Sequence, residues 1–561
     1  MTDYLNDLVF PKEAEFNTDL WPRFDTDRKL YDLEKFTMKQ LDGQTMPDVL
    51  SITLNTPQIF ADKVIAVISA AVSNIEVEGE KLKEKQPAQI EAFLHDLFAA
   101  ADERLSNLEF PSQNTFHAAQ FSLRGRGGMR ICLRLDKEKN LVPDILPLDR
   151  RYATYDVGVD GILWACNLSR RSKAKIKAEY NKDIGSADAD VRDFWDEKVN
   201  VIYVGNEEVK QTKNSYGYVP FVLQTRMAGS FLMDKDSMKR HGESIYAANR
   251  DLYPELNRVA SIIATKALEN IKPGLQKPVD DETSAKPPAP ALKPGVGKAI
   301  PVTKGLEYLL MPSKDLTQAT RQFWSIMMSF IQQASLSLTE YGNVSFPLSA
   351  VALKSLSAKN DTIYLPGIQG MTQMYQRAAR MIINQTLNLK AIPRLSVGGQ
   401  THEYKSADLE GDYTIKYRFY SVSPEEEVAN YSVAAAAKAL GLSQDTIFRN
   451  ILKLEDPDGE IAKRLAEDAE EMVPDLKLLR IAKGMVEEGK GKEMELQFIL
   501  DRLDMTVEEL KGGKVPVERK RLGPGEGATL PLLGERGRAG GSLAAGENMT
   551  EEVAAMGEEE V

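Results

Sequence analysis

Between residues 242 and 390 the sequence runs as helix, insert, helix, loop, helix, and this order constrains the fold more than any other feature of the chain. In 244–270, Ile245, Ala248, Leu252, Leu256, Val259, Ile263 and Ala267 recur three or four apart, one stripe of a helix several turns long. Pro254 either kinks that helix or marks its true start. The insert that follows, 272–301, is dense in Pro, Gly and Lys, and its Pro287-Pro288-Ala289-Pro290 centre favours extended backbone. Short strands are expected at 297–302 and 306–310. After Ser313, a good N-cap, the stripe Leu316, Ala319, Phe323, Met327, Phe330, Ala334 and Leu338 defines a second long helix that should stop at Gly342. The segment 341–348, YGNVSFPL, contains Gly342, Asn343 and Pro347 as breakers and reads as a loop. A short helix over 350–359 and a third long one over 368–388, with Met371, Tyr375, Ala378 and Ile382 on one side, complete the run.

Upstream, helices are expected at 29–40, at 57–74 after an Asn55-Thr56 cap, and at 87–101. Pro57 and Pro87 each stand in a first turn, where no backbone N–H is required. From Gly125 the character turns to β: strands at 129–135 and 141–146, a 152–165 hairpin around Gly158-Val159-Asp160-Gly161, then strands at 199–204 and 219–225, with one helix at 172–180. Downstream, Tyr413, Ile415, Tyr417 and Phe419 alternate with Thr414, Lys416 and Arg418, a strand with one buried face that is expected to rejoin this β region. Helix starts at Ser423-Pro424, Ser443 and Asp456-Pro457 define a compact helical unit over 424–465, followed by helices near 466–488 and 491–510. Residues 511–561, rich in Gly, Glu and Arg without apolar periodicity, are expected to be disordered. At 561 residues the chain has room for more than one core, and the expected class is α+β, predominantly helical.

Seventy-one Lys and Arg against 83 Asp and Glu give a net charge of −12, which argues against tight neutralisation of a phosphate backbone but suits a surface that lets nucleic acid pass without holding it. Cys132 and Cys166 lack CxxC spacing, so neither a disulfide framework nor a zinc site is signalled, and a reducing cytoplasmic compartment is expected. The first residues are acidic where a signal peptide needs a basic region, and the apolar run 64–72 is too short to span a bilayer. Gly125-Arg126-Gly127-Gly128 lacks a GK[ST] ending and leads into a strand, so it reads as a turn. His95, His117, His241 and His402 are scattered with no i,i+4 pair, and the acidic runs at 425–427 and 467–468 sit on helices, where dipole compensation and solvation explain them. No GxSxG elbow occurs. No catalytic residue, metal or cofactor is therefore expected, and the basic run 518–521, set among glutamates, reads as solvated.

Four short runs stand out by their order: Leu54-Asn55-Thr56-Pro57 at a helix entry, Gly217-Tyr218-Val219-Pro220-Phe221-Val222 at a strand entry, Gly242-Glu243-Ser244-Ile245 before the first long helix, and Gly441-Leu442-Ser443-Gln444-Asp445-Thr446 followed by Glu455-Asp456-Pro457 and Glu460. In this sequence and spacing, over residues 20–500, the chain resembles the portal proteins of tailed double-stranded DNA bacteriophages.

The resemblance implies an N-terminal arm (1–19), a wing (20–240, helical then β-rich) completed by strands in 391–422, stem helices at 241–271 and 313–341, and a clip at 272–312 between them. It further implies a tunnel loop and short helix (342–367), a long wing-base helix (368–390), a helical crown (423–510) and a tail (511–561). The family assembles as a ring, typically of twelve subunits, at one vertex of the capsid. The terminase large subunit packages double-stranded DNA through that ring, and the genome later leaves by the same channel. Major capsid and scaffold proteins and a head-tail adaptor are the other implied partners. The implied locations are the host cytoplasm, where the chain is made, and the virion; no enzymatic activity and no membrane are implied. In the loop, Asn343, Val344, Ser345 and Phe346 are the residues expected to approach DNA, and Arg258, Lys266 and Arg321 are the stem cations expected to face phosphates. Two other classes stay open: a helical scaffold or adaptor that forms no ring, and an enzyme assembled from distant segments, which would show a pocket with perturbed carboxylates.

Overall fold

A computed structural model describes residues 3–40, 42–83, 85–271, 276–279, 300–303, 318–336, 350–389, 393–420, 424–452, 454, 457–472, 474–487, 494–503, 506 and 510. It is a mixed α+β structure with several small, mostly antiparallel sheets. The chain divides into two compact units, residues 1–463 and 464–561. The division falls inside the segment expected as a crown.

The amino terminus is helical where an arm is expected. A π-turn, Leu5–Val9, leads into α1 (Phe10–Tyr31), and the expected 29–40 helix is absent: the chain leaves the helix after Tyr31, with Leu33 in the left-handed region at φ 51°. Pro22 lies inside α1, a poor helical signal, and packing overrides it: Leu20, Trp21 and Phe24 are buried, and the Arg151 guanidinium lies 4.2 Å from the Trp21 ring.

α2 (Thr56–Ser69) starts at Thr56-Pro57 as expected but ends at Ser69, and the 70–74 segment turns instead into β1 (Val72–Glu78). α3 (Gln86–Ser106) and α4 (Gln113–Leu123) follow, the latter capped by Ser112, whose side chain accepts from the Thr115 N–H.

β2 (Arg126–Leu135) forms a three-stranded antiparallel sheet with β3 (Leu141–Pro147) on one side and β9 (Phe221–Thr225) on the other. β4 (Ala153–Val157), β5 (Ile162–Ser172), β6 (Asp188–Asp196), β7 (Val199–Val204) and β8 (Glu207–Lys213) make a separate antiparallel meander, with α5 (Lys173–Tyr180) between β5 and β6. The sequence reading missed β6 and β8. Both faces of the meander are covered: Leu5 and Val9 pack on Trp164, Phe194 and Tyr203, and Ile176 of α5 packs on Val191, Ile202 and Val204. The acidic arm is thus a lid on a β-sheet, because Leu5 and Val9, four apart, supply one apolar face.

After the short α6 (Lys235–Met238), α7 (Leu252–Ile271) starts eight residues later than expected, with Pro254 in its first turn, where its missing N–H is harmless. Within the insert, β10 (Gln276–Val279) pairs in parallel with β11 (Ile300–Thr303); the strand expected at 306–310 lies outside the described residues. α8 (Gln318–Gln333) ends before Gly342, as its backbone turns at 334–336. One helix, α9 (Ala350–Asn388), replaces the two expected there. Its 39 residues span about 58 Å, and Pro366 sits within it without ending it.

β12 (Arg394–Val397) and β13 (Gln400–Glu403) form a hairpin, and after α10 (Ser406–Leu409) comes β14 (Thr414–Tyr420). β14 buries Ile415, Tyr417 and Phe419, but it does not rejoin the 125–225 β region: it pairs antiparallel with β1, Val72 opposite Tyr420. The largest core lies under these pieces. Phe93, Leu97, Phe121, Met371, Tyr375, Ile382 and Tyr417 meet there, so α9 is the spine on which α2, α3, α4, β2 and β14 pack.

Gln385 of α9, fully buried, works as a substitute strand: its Oε1 accepts from the Leu133 N–H at 2.9 Å and its Nε2 donates to the Ile131 carbonyl at 2.8 Å. These are the β2 groups next to the point where β9 ends.

α11 (Pro424–Ala439) and the Ser443-capped turn α12 (Gln444–Thr446) follow, then α13 (Pro457–Met472), α14 (Pro474–Glu487) and α15 (Met494–Leu503). α14 and α15 pack through Ala482, Leu496 and Leu500. α13 runs past the helix boundary expected at 465/466 to Met472, and Pro474 opens α14.

Candidate functional site

The Gly242-Glu243-Ser244 run, singled out in the sequence, is the foot on which α7 stands. Gly125 and Gly242 cross there. A Cβ on Gly125 (φ +65°) would lie 2.1 Å from the Gly242 carbonyl, and one on Gly242 (φ +69°) would lie 2.1 Å from Thr225 Cγ2. Only glycine lets the two backbones approach this closely. The Gly125-Arg126-Gly127-Gly128 stretch is accordingly a strand entry, with Arg226 N–H bonded to the Gly125 carbonyl at 2.9 Å.

Around the crossing, α1 is bolted to the foot by a charged network that sequence reasoning missed. Arg250 donates to both Asp27 oxygens, at 2.7 and 2.9 Å, and to Glu243 Oε2 at 2.9 Å. Ser244 Oγ donates to Asp27 at 2.7 Å, and Arg23 pairs with the other Glu243 oxygen. Burial alone would raise the Glu243 pKa, yet Arg250 and Arg23 hold it below the usual carboxylate range. Asp27 is 217 residues from Ser244 in sequence, which is why no local signal announces the pair.

A second device runs along α7. Asn257, Ser261 and Thr265 stand four apart on one helical stripe, and their side-chain oxygens accept the backbone N–H groups of Leu54, Ile52 and Leu50 at 2.9, 2.9 and 3.0 Å. Two residues of extended chain advance about 6.8 Å and four residues of helix about 6 Å, so the periods match and the segment lies antiparallel on the helix. The Asn-Ser-Thr spacing is visible in the sequence; its partner is not.

α8 divides the predicted apolar stripe. Met327 and Ile331 are buried and Trp324 is half-buried, whereas Phe323, Ile326 and Phe330 are 48%, 51% and 52% exposed on a neighbouring face. Its polar side carries Gln318, Arg321, Gln322, Ser325, Ser329, Gln332 and Gln333, with no acidic residue in the helix. α7 and α8 pack on one another.

The expected site residues fall in three places. Arg258 is exposed on α7 and pairs with Glu255 at 3.4 Å; Lys266 is half-buried; Arg321 is exposed on α8. Arg258 and Lys266 are eight residues apart, about 12 Å of rise and 80° around the helix. Asn343, Val344, Ser345 and Phe346 lie outside the described residues.

A cleft of about 620 Å³ opens beside the foot, lined in part by Arg23, Arg226, Arg240, Glu243, Arg250 and Asp251. Its one buried carboxylate, Glu243, is committed to two arginines, which suits an ionic bolt and not a general acid. The thiols are inert, since burial pushes the Cys132 pKa up to about 12 and raises that of Cys166 further. Among the described residues no cluster of His, Cys, Asp and Glu could hold a metal ion, and no helix is long and apolar enough to cross a membrane. No protein-family profile matches the chain, and a comparison with curated proteins returns no match.

Proposed function

We propose that this chain is the portal subunit of a tailed double-stranded DNA bacteriophage: a ring-forming conduit at one capsid vertex. The observation that carries the reading is α8. It is joined to α7 through an insert, packs against α7 on one side, and still presents Phe323, Ile326 and Phe330 outward. Half-exposed, these three leave roughly 300 Å² of apolar surface uncovered on one face of the helix. Burying it is worth about 7 kcal/mol. A second copy of the same helix pair is the occupant that the resemblance supplies, and copies meeting head to tail close into a ring.

In this reading α7 and α8 are stem helices, the 272–312 insert docks terminase and later the head-tail adaptor, and the 341–348 loop narrows the channel. The Gln- and Ser-rich side of α8, carrying Arg321 as its one charge, is a surface along which DNA slides without being held. Its partners would be eleven further copies, the DNA, the terminase large subunit, capsid and scaffold proteins and the adaptor. Negative-stain electron microscopy of the purified full chain tests the proposal: rings with a central hole are expected. A homogeneous monomer or dimer in every condition overturns it.

A further inference from the structure

Four guanidinium groups, those of Arg23, Arg226, Arg240 and Arg250, line the cleft at the foot of α7 against the one buried carboxylate of Glu243. Asp27 and Glu243 are consumed by Arg250 and Arg23. Arg226, only 5% exposed, meets two backbone carbonyls, Ile363 at 2.7 Å and Glu243 at 3.4 Å, and its Nε–H has no acceptor among the described residues. No carboxylate among the described residues pairs with it, and burial alone lowers its pKa to about 10. Asp251, the other acid of the cleft, is exposed at the rim. A buried cation without a counter-ion is costly, and the cost is relieved when an anion completes the site.

The surroundings fit an oxyanion. Arg240 stands exposed on the wall, Ser230 brings a hydroxyl, and Gly229 (φ +95°) leaves bare backbone, since a Cβ there would lie 2.0 Å from the Arg240 carbonyl. Guanidinium forks match the oxygens of phosphate, and two of them favour a doubly charged anion over a carboxylate. The volume, about 620 Å³, accommodates a phosphate with a small organic group attached and is far too narrow for a duplex.

We propose that this cleft binds one phosphate group, free or on a nucleoside monophosphate, with Arg226 as the fixed charge and Arg240 as the closing one. The site is independent of ring formation. Isothermal titration calorimetry of the full chain with sodium phosphate, with dAMP and with a 20-base-pair duplex tests it, each against sodium chloride of equal ionic strength. Saturable binding of phosphate and dAMP at one per chain is expected, weakened at least tenfold by Arg226→Met and at least threefold by Arg240→Ala, with Arg240→Lys restoring most of the affinity. A duplex that displaces phosphate would assign the group to a DNA backbone and overturn the small-ligand assignment. Absence of saturable phosphate binding overturns the site outright, as does wild-type affinity in both variants. If circular dichroism shows Arg226→Met unfolded, unchanged affinity in Arg240→Ala alone is sufficient to overturn it.

Discussion

His117 is fully buried in α4, edge-on to the Tyr375 ring at 5.8 Å, and neither ring nitrogen has a hydrogen-bond partner among the described residues. Burial pushes its pKa down from 6.5 to about 3, so the folded protein keeps it neutral at every pH above that value. The unfolded chain takes up a proton below about pH 6.5, and the folded chain does not. Stability is therefore full above pH 6.5 and is lost progressively as pH falls from 6.5 toward 3. Between pH 8 and pH 5 the loss from this one group is about 2 kcal/mol, from 1.36 kcal/mol per unit over about 1.5 units. For a cooperative unit of this size that is a shift of roughly 2 °C in melting temperature.

The perturbation is His117→Leu, which removes the titration and fills the same apolar site. Differential scanning calorimetry of wild type and variant at pH 8 and pH 5 cancels the contribution of the carboxylates. Wild type should lose about 2 °C more than the variant. Parallel losses would refute the reasoning, because they would mean that His117 is protonated or accepts a partner in the folded state.

Three further outcomes are expected. Gln385→Leu strands the Leu133 N–H and the Ile131 carbonyl, costing about 2–4 kcal/mol by the penalty for two unmet buried groups, read as a lowered midpoint in urea. Ser261→Ala with Thr265→Val removes the acceptors of Ile52 and Leu50, and hydrogen exchange at those two amides should rise by roughly tenfold or more while the α9 core stays protected. Phe323→Asp with Phe330→Asp places charge on the exposed face of α8; analytical ultracentrifugation should show the large assembly lost with the circular dichroism spectrum unchanged, and an intact assembly would remove α8 from the interface.

What was legible in the sequence was local. α7 and α8 follow from apolar residues three and four apart, β14 from Ile415, Tyr417 and Phe419 alternating with polar neighbours, and the Ser443 cap from a hydroxyl two residues beyond Gly441. Two helices, 350–359 and 368–388, are expected where the fold has one, which carries Pro366 and Gly367 in its interior. In the fold α9 runs through both, and the Arg226 side chain donates to the Ile363 carbonyl, one turn before Pro366. α1 was misplaced because its helical propensity is weak, and buried Trp21 and Phe24 supply the stability instead.

The candidate site was half visible. Gly242, Glu243 and Ser244 were marked, and the polar repeat Asn257, Ser261, Thr265 lay open to inspection, but Asp27, Arg226 and the 50–54 backbone that complete these devices come from elsewhere in the chain.

The sequence by itself determined which segments are helix and which are strand wherever a period of 3.6 or 2 is strong, and that one helix pair flanks an insert. Only the tertiary structure decided that β14 pairs with β1 across more than 330 residues, that one half of the α8 stripe is buried while the other faces out, and that Arg226 has no counter-charge among the described residues. Periodicity is set by the geometry of a few neighbouring residues. Strand partners, the choice of which apolar face is covered, and the balance of buried charge are sums over distant segments, settled only when the whole core closes.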